Sequence, residues 1–360
     1  MRTNIAALQK KLKSDVISGK FGPSGSRLPS LRELCEAYEG SYVTLQKAVS
    51  ALRDEGVISS FGKKEYLTYG IADSSSELAA MLAKKDSRAI GLYVRSVENP
   101  FFAALSSSVL SSSITSSLNS EGYTVLISSG GDDKEKEKAI IRKFVSIGCA
   151  GIISFPGGYY PSEIYDYCPL PVVFLGKELT GRSRPCIAVK NETAARMAAK
   201  HLYDAGYRDF VYIGSETVDQ TSDKRYVGFT KELEKLGEAP PALFRVTGFG
   251  DERGYAQIKR YFKSKNDPVG VFCYHDLIAA GLYGALSSIG KSIPQDVGVV
   301  GFDDLFVAPL LRPGLSTVSC RFDLMAKKAT KLLFELVERK TVPDITYVNP
   351  VLTVRGSSQR

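Results

Sequence analysis

Residues 25–70 read "GSRLPSLRELCEAYEGSYVTLQKAVSALRDEGVISSFGKKEYLTYG". Two short helical patterns flank a break at Glu39-Gly40. Pro29-Ser30 opens the first, with Leu31 and Leu34 facing inward, and Ser41 is a good N-cap for the second. Leu45, Ala48, Val49 and Leu52 form the inner stripe of that second helix. Glu55-Gly56 ends it, and "VISSFGKKEYLTY" reads as two strands around a turn at Gly62. Upstream, Ile5, Leu8, Leu12 and Val16 recur at three to four residues and give a third helix one apolar stripe. Three helices with a tight turn before the last, followed by a two-stranded ribbon, predict a winged helix-turn-helix.

Such a unit places its third helix in a major groove, with the first turn reaching base edges. Ser41, Tyr42, Thr44, Gln46 and Lys47 lie on its outer side. All but Lys47 are short or planar hydrogen-bonding groups suited to base edges. Arg27 and Arg32 flank them as phosphate contacts, which position without specifying. The ribbon tip, Phe61-Gly62-Lys63-Lys64, is expected along the minor groove or the backbone. A winged helix used for protein contacts is the alternative.

Charge agrees. The 360 residues carry a net charge of +8. Residues 1–70 hold eleven Lys and Arg against seven Asp and Glu, so half the excess sits in about a fifth of the chain. A basic module on a near-neutral body suits a polyanion such as nucleic acid, or else is only a solvated basic face. At 44% hydrophobic and 24% charged residues the composition is that of a soluble globular chain. No run approaches the roughly 20 apolar residues of a membrane span. The start, "RTNIAALQKKLKSDV", has no apolar signal core, so a cytoplasmic location is expected. The six cysteines include no CxxC and read as small buried hydrophobes. Only His201 and His275 occur, which excludes zinc sites built on paired histidines beyond that single pair. No cofactor is expected.

Residues 71–87 are Ser-rich at the start and read as a linker. From Arg88 onward, "AIGLYV", "YTVLIS", "AGIISF", "PVVFLG", "FVYIG", "GVFCY" and "VGVVGFD" are apolar runs too continuous for half-exposed strands. Helical segments separate most of them, which predicts parallel sheets with helices on both faces. About 270 residues and ten or so strands fit two such sheets. The fold class expected is therefore α/β: a winged helix over 1–70, the linker, and a two-lobed body over 88–360. Lobe 1 is expected at about 88–187 and 318–341, and lobe 2 at about 188–317 and 342–360. Ligands of such folds bind outside the carboxyl ends of the strands.

Catalytic motifs are weak. "GALSSIGKS" (284–292) nearly matches a phosphate loop but has Ala285 at the first glycine position and follows a helix, so Gly290 reads as a C-cap. "GFGDERG" (248–254) is one residue too long for a dinucleotide fingerprint, and no G-x-S-x-G elbow occurs. Asp303-Asp304 ends a strand with no second carboxylate group that can be placed opposite. An enzyme is not expected.

The residues also carry a resemblance. "SRLPSLRELCEAYEGSYVTLQKAVSALRDEGVI" resembles the DNA-binding domain of GntR-family repressors. Arg27, Arg32, Ser41, Thr44 and Gly62 fall on that family's DNA-contact positions. Tyr42 and Gln46 stand where it often has Arg, and Lys64 replaces a frequent Gly. The body is similar to the effector domain of LacI/GalR repressors, a type I periplasmic-binding-protein-like domain. The stretches that carry this are "IGLYVRSVENPFF" (90–102), "DKRYVGF" (223–229), "VFCYHDLIAAGLYGAL" (271–286) and "IPQDVGVVGFDD…LSTV" (293–318). Such a head on such a body resembles arabinose-type regulators.

The resemblance implies a ligand-responsive regulator, a repressor in kind, with operator DNA, a sugar-like effector and a second copy of itself as partners. It places Arg225 on the family's ligand-binding Arg and Asp303 on an acidic ligand contact. His275 stands where Asn is usual, Phe249 where an aromatic stacks on the ligand, and Phe101 and Phe102 where the upper lobe touches it. Phe101 or Phe102 in the core and Arg225 in an interlobe ion pair are the alternatives, and Asp276 and Asp304 read as structural caps. A solute-binding protein or a carbohydrate or nucleotide enzyme is the alternative for the whole.

Overall fold

A computed structural model describes residues 5–18, 20–22, 26–54, 57–61, 65–68, 88–96, 123–131, 133–155, 165, 168, 170–176, 185–216, 223–248 and 250–360. The expected linker at 71–87 lies outside them. Two compact units emerge: Met1–Ile187 with Ala326–Thr346, and Ala188–Met325 with Tyr347–Arg360.

The first unit opens with α1 (Ile5–Ile17), α2 (Leu31–Tyr38) and α3 (Tyr42–Asp54), then an antiparallel ribbon of β1 (Ile58–Phe61) and β2 (Glu65–Thr68). The helices close on a core of their own: Leu8, Leu12, Val16, Leu28, Leu34, Leu45, Ala48, Val49, Leu52 and Ile58 are all buried within it. The apolar stripe of α1 is shorter than its pattern predicts, because Ile5, at the helix start, is exposed. A capping box starts α2: Glu33 N–H donates to Ser30 Oγ at 3.3 Å, and the Ser30 N–H donates to the Glu33 carboxylate at 2.6 Å. The turn into α3 is made by Glu39, whose φ of 49° is left-handed. Gly40 serves packing instead, since a Cβ there would stand 2.3 Å from Leu45 Cδ2.

The same unit holds a six-stranded sheet of β3 (Ala89–Val94), β4 (Thr124–Ser129), β5 (Gly151–Ser154), β6 (Val172–Leu175), β7 (Cys186–Val189) and, late in the chain, β13 (Ile345–Val348). Its order is β4-β3-β5-β6-β7-β13, and the pairs from β4 to β7 are parallel. Helix α4 (Lys134–Ile147) presents Ile141, Phe144 and Val145 to it.

The second unit repeats the plan. Its strands are β8 (Asp209–Ser215), β9 (Ala242–Val246), β10 (Val269–Cys273), β11 (Val297–Asp303), β12 (Ser316–Ser319) and β14 (Val351–Thr353). The order is β9-β8-β10-β11-β12-β14, parallel except for β14. Helices α5 (Asn191–Asp204), α6 (Lys224–Lys235), α7 (Glu252–Lys263) and α8 (Asp276–Ser287) alternate with the strands, and α9 (Phe322–Val337) follows β12. Gly290, at φ 72°, sits just past α8 as the helix stop. Strands β10 and β11 are buried along their whole length, which is why they read as unbroken apolar runs.

The chain crosses between units at 187/188, 325/326 and 346/347. The two return crossings come later than the 317/318 and 341/342 expected from sequence. The physical reason is pairing: β12 is hydrogen-bonded to β11 and β14, while β13 joins β7 in the other sheet.

Candidate functional site

Two places merit description, one on the head and one on the second unit. On α3, Tyr42, Gln46 and Lys47 are exposed on the face opposite the core, and Arg32 is exposed on the second residue of α2. Arg27 is exposed as well. Ser41 and Thr44 are tied together: their hydroxyl oxygens are 2.8 Å apart, and Thr44 N–H donates to Ser41 Oγ at 3.2 Å. Ser41 thus caps the helix by accepting from the Thr44 N–H, as its position in the sequence implied. Gly62 and Lys63 lie outside the described residues.

In the second unit the strand order reverses between β8 and β10, since β9 lies beyond β8 and β11 beyond β10. At such a switch point the loops at the carboxyl ends part and leave a crevice. Arg225 stands there. It lies in the first turn of α6 rather than in a loop, placed by Asp223, whose carboxylate caps the helix by accepting from Arg225 N–H at 3.0 Å and Tyr226 N–H at 3.2 Å. Asp223 is itself held by the Tyr212 hydroxyl at 2.7 Å. The Arg225 side chain donates through Nε to Asn191 Oδ1 at 3.0 Å and through Nη1 to the Tyr274 carbonyl. Its guanidinium carbon lies 3.4 Å from the centre of the Phe302 ring and 4.4 Å from that of Tyr274. Cation–π contact and two hydrogen bonds thus fix a cation whose Nη2 stays unengaged among the described residues.

Asp303 ends β11, buried, with φ of 105°. Few non-glycine residues adopt that conformation, and Asp tolerates it better than most. Its one hydrogen-bond partner among the described residues is the Cys320 thiol, which donates to Oδ1 at 3.4 Å. It forms no ion pair with Arg225. Burial pushes its carboxyl up to about 7, against the opposing pull of the Arg225 charge and the Cys320 hydrogen bond.

His275 caps α8, its Nδ1 accepting from Ile278 N–H at 3.2 Å. That bond assigns the proton to Nε2. Burial, and then the charge of Arg225, lowers the imidazole to about 4, so it is neutral at physiological pH. The crevice therefore offers two donors, Arg225 and His275, and one acid, Asp303. Phe249, Phe101 and Phe102 lie outside the described residues.

The neighbouring acids differ from the caps that sequence suggested. Asp276 is fully buried and staples three segments, accepting from Leu305 N–H at 2.7 Å and Thr317 Oγ1 at 2.6 Å. Burial, with Asp303 nearby, raises its carboxyl well above the usual range. Asp304 pairs with Arg355 at 2.8 Å. Asn191, Tyr274, Phe302 and Asp223 were given no site role from the sequence, and Cys320 was read only as a small buried hydrophobe. Only Asp223 carries a local signal, an acid directly before a helix.

A winged helix-turn-helix joined to a doubly wound body with such a polar crevice is the make-up of a ligand-responsive, DNA-binding transcription regulator. Residues 4–64 match the bacterial regulatory proteins of the gntR family. Residues 199–358 match the periplasmic binding protein-like domain. The head is thus similar to gntR-family regulators, and the body to periplasmic binding protein-like domains. It is 28% identical over 283 residues to the HTH-type transcriptional regulator GalR of Escherichia coli, covering 78% of this chain and 81% of that protein. The ribose operon repressor of Halalkalibacterium halodurans is 26% identical over 340 residues, 92% of this chain and 98% of its own. Among solved structures, a periplasmic binding protein/LacI transcriptional regulator from Alkaliphilus metalliredigens, complexed with D-xylulofuranose, aligns with a TM-score of 0.65. It shares 27% identity over 76% of this chain and 100% of that one. No described helix is long and apolar enough to cross a membrane.

Proposed function

We propose that the chain is a cytoplasmic homodimeric repressor whose effector is a sugar or similar polyhydroxylated molecule, held in the second unit by Arg225, His275 and Asp303. The observation that carries this reading is Arg225: a cation fixed by Asn191, Tyr274 and Phe302, with a spare donor beside a buried acid. Sugar hydroxyls each donate and accept, so one cation and one carboxylate side by side suit them.

On the DNA side, Arg27, Arg32 and Lys63 contact phosphates, while Ser41, Tyr42, Thr44, Gln46, Lys47 and Gly62 face the bases and groove. The domain limits 1–70, 71–87 and 88–360 serve this division of labour. Effector acts by binding one state of the dimer more tightly than the other.

A thermal-shift screen of the full chain against sugars, sugar acids and purines tests the effector class, because a ligand of the native state raises stability by mass action. A sugar should give the largest shift. A purine shift with none from sugars would contradict the assignment.

A further inference from the structure

Val43 has no part in the apolar stripe or in the polar outer face of α3 read from the sequence. Its neighbours on α3, Leu45, Ala48, Val49 and Leu52, are at most 1% exposed, yet Val43 is 59% exposed and Tyr42 53%. A lone surface valine needs no explanation. This one stands in the first turn of the helix read above as entering the groove, beside a second exposed apolar ring. It adds nothing to the head core, and a β-branched residue slightly weakens an exposed helix.

Position strengthens the case. At about 100° per residue, Tyr42, Gln46, Val43 and Lys47 follow one another around an arc of roughly 140°, with Gln46 and Val43 at its middle. Ser41 and Thr44, the hydroxyls of the same turn, are engaged with each other and with the helix N-terminus. The most central exposed side chain of the first turn is therefore an isopropyl group, which neither donates nor accepts a hydrogen bond. On the major-groove edge of B-DNA one base presents an apolar group, the C5-methyl of thymine.

Resting on the DNA-binding reading, we propose that Val43 is a specificity-determining residue that packs against a thymine methyl in each operator half-site. Gln46, one turn on, reads the adjoining base edge by hydrogen bonds, for which adenine is the natural partner of a Gln amide.

The test begins with selection of duplexes from a random pool by the full-length protein. Each thymine of the selected site is then replaced by deoxyuracil, symmetrically in both half-sites, and affinity is read by fluorescence anisotropy at fixed salt. For the wild type, one thymine should be sensitive, its lost methyl weakening binding about fourfold per half-site, the worth of one buried methyl. Val43→Ala should lose most of that discrimination, and Tyr42→Ala should keep it. Tolerance of deoxyuracil at every position to within about twofold, or sensitivity that survives in Val43→Ala, would overturn the proposal. Failure to select any duplex above background would instead remove the DNA-binding reading, and this proposal with it.

Discussion

The guanidinium carbon of Arg225 lies over Phe302, 3.4 Å from the ring centre, and the residue after Phe302 is Asp303. One strand end thus supplies both the surface that seats the cation and the acid beside it. The stack, the Asn191 bond and the Tyr274 carbonyl hold Arg225 in place before any ligand arrives, so little ordering remains to be done on binding.

Arg225→Ala should therefore weaken effector binding by about 30- to 1,000-fold, the cost of losing a buried charged partner. Arg225→Lys keeps the charge but loses the planar stack and fork, and should recover only part of the loss. Calorimetry with the sugar found by thermal shift reads both. Operator affinity of either variant without effector should stay near wild type.

A second expectation follows from Asp303. Its carboxyl is raised to about 7 from an ordinary 3.8. A group raised in the folded state binds its proton more tightly there, so its contribution to stability is complete below about pH 4. It is lost as pH climbs to about 7 and flat above. Asp303→Asn, which mimics the protonated acid and tolerates the left-handed backbone, should melt several degrees above wild type at pH 8. The gap should close below pH 4. Thermal melts of both proteins across that range check it, and a gap independent of pH would refute the burial account.

Ser357 gives a third. Near the chain end, its hydroxyl accepts from Ser316 N–H at 2.7 Å and donates to the Val299 carbonyl at 2.6 Å. Ser358 links His201 to Ser316, each contact at 2.7 Å. Ser357→Ala leaves a buried N–H unsatisfied and should cost about 1–3 kcal/mol. Denaturant unfolding measures it, with the head unaffected.

The head gives a fourth. Among the described residues its core draws on residues 8–58, so Leu45→Ala should destabilise it by about 2–5 kcal/mol while the body keeps its effector affinity. Loss of DNA binding with intact calorimetry is the expected pattern.

The head was legible because its information is local. The stripe Leu45, Ala48, Val49 and Leu52, and the Ser30 and Ser41 caps, lie within a few turns of one another. The parallel sheets were legible because strands buried on both faces must be apolar throughout. The return crossings were not, because a short strand such as β13 has no local mark of which sheet it joins. The crevice was half legible. Arg225 and Asp303 sit in stretches similar to known effector domains. Their supports come from residues 191, 274, 302 and 320, brought together only by topology. Ser357 was illegible for the same reason, since its partners lie 41 and 58 residues away.

The central claim is coupling between effector and DNA. Its most direct test is an equilibrium titration of the selected operator with the full-length protein, with and without saturating sugar, for wild type and Arg225→Ala. Operator affinity of the wild type should change by about fivefold or more with sugar, in line with typical coupling energies, and that of Arg225→Ala should not change. Equal operator affinity of the wild type with and without the bound sugar would contradict the account.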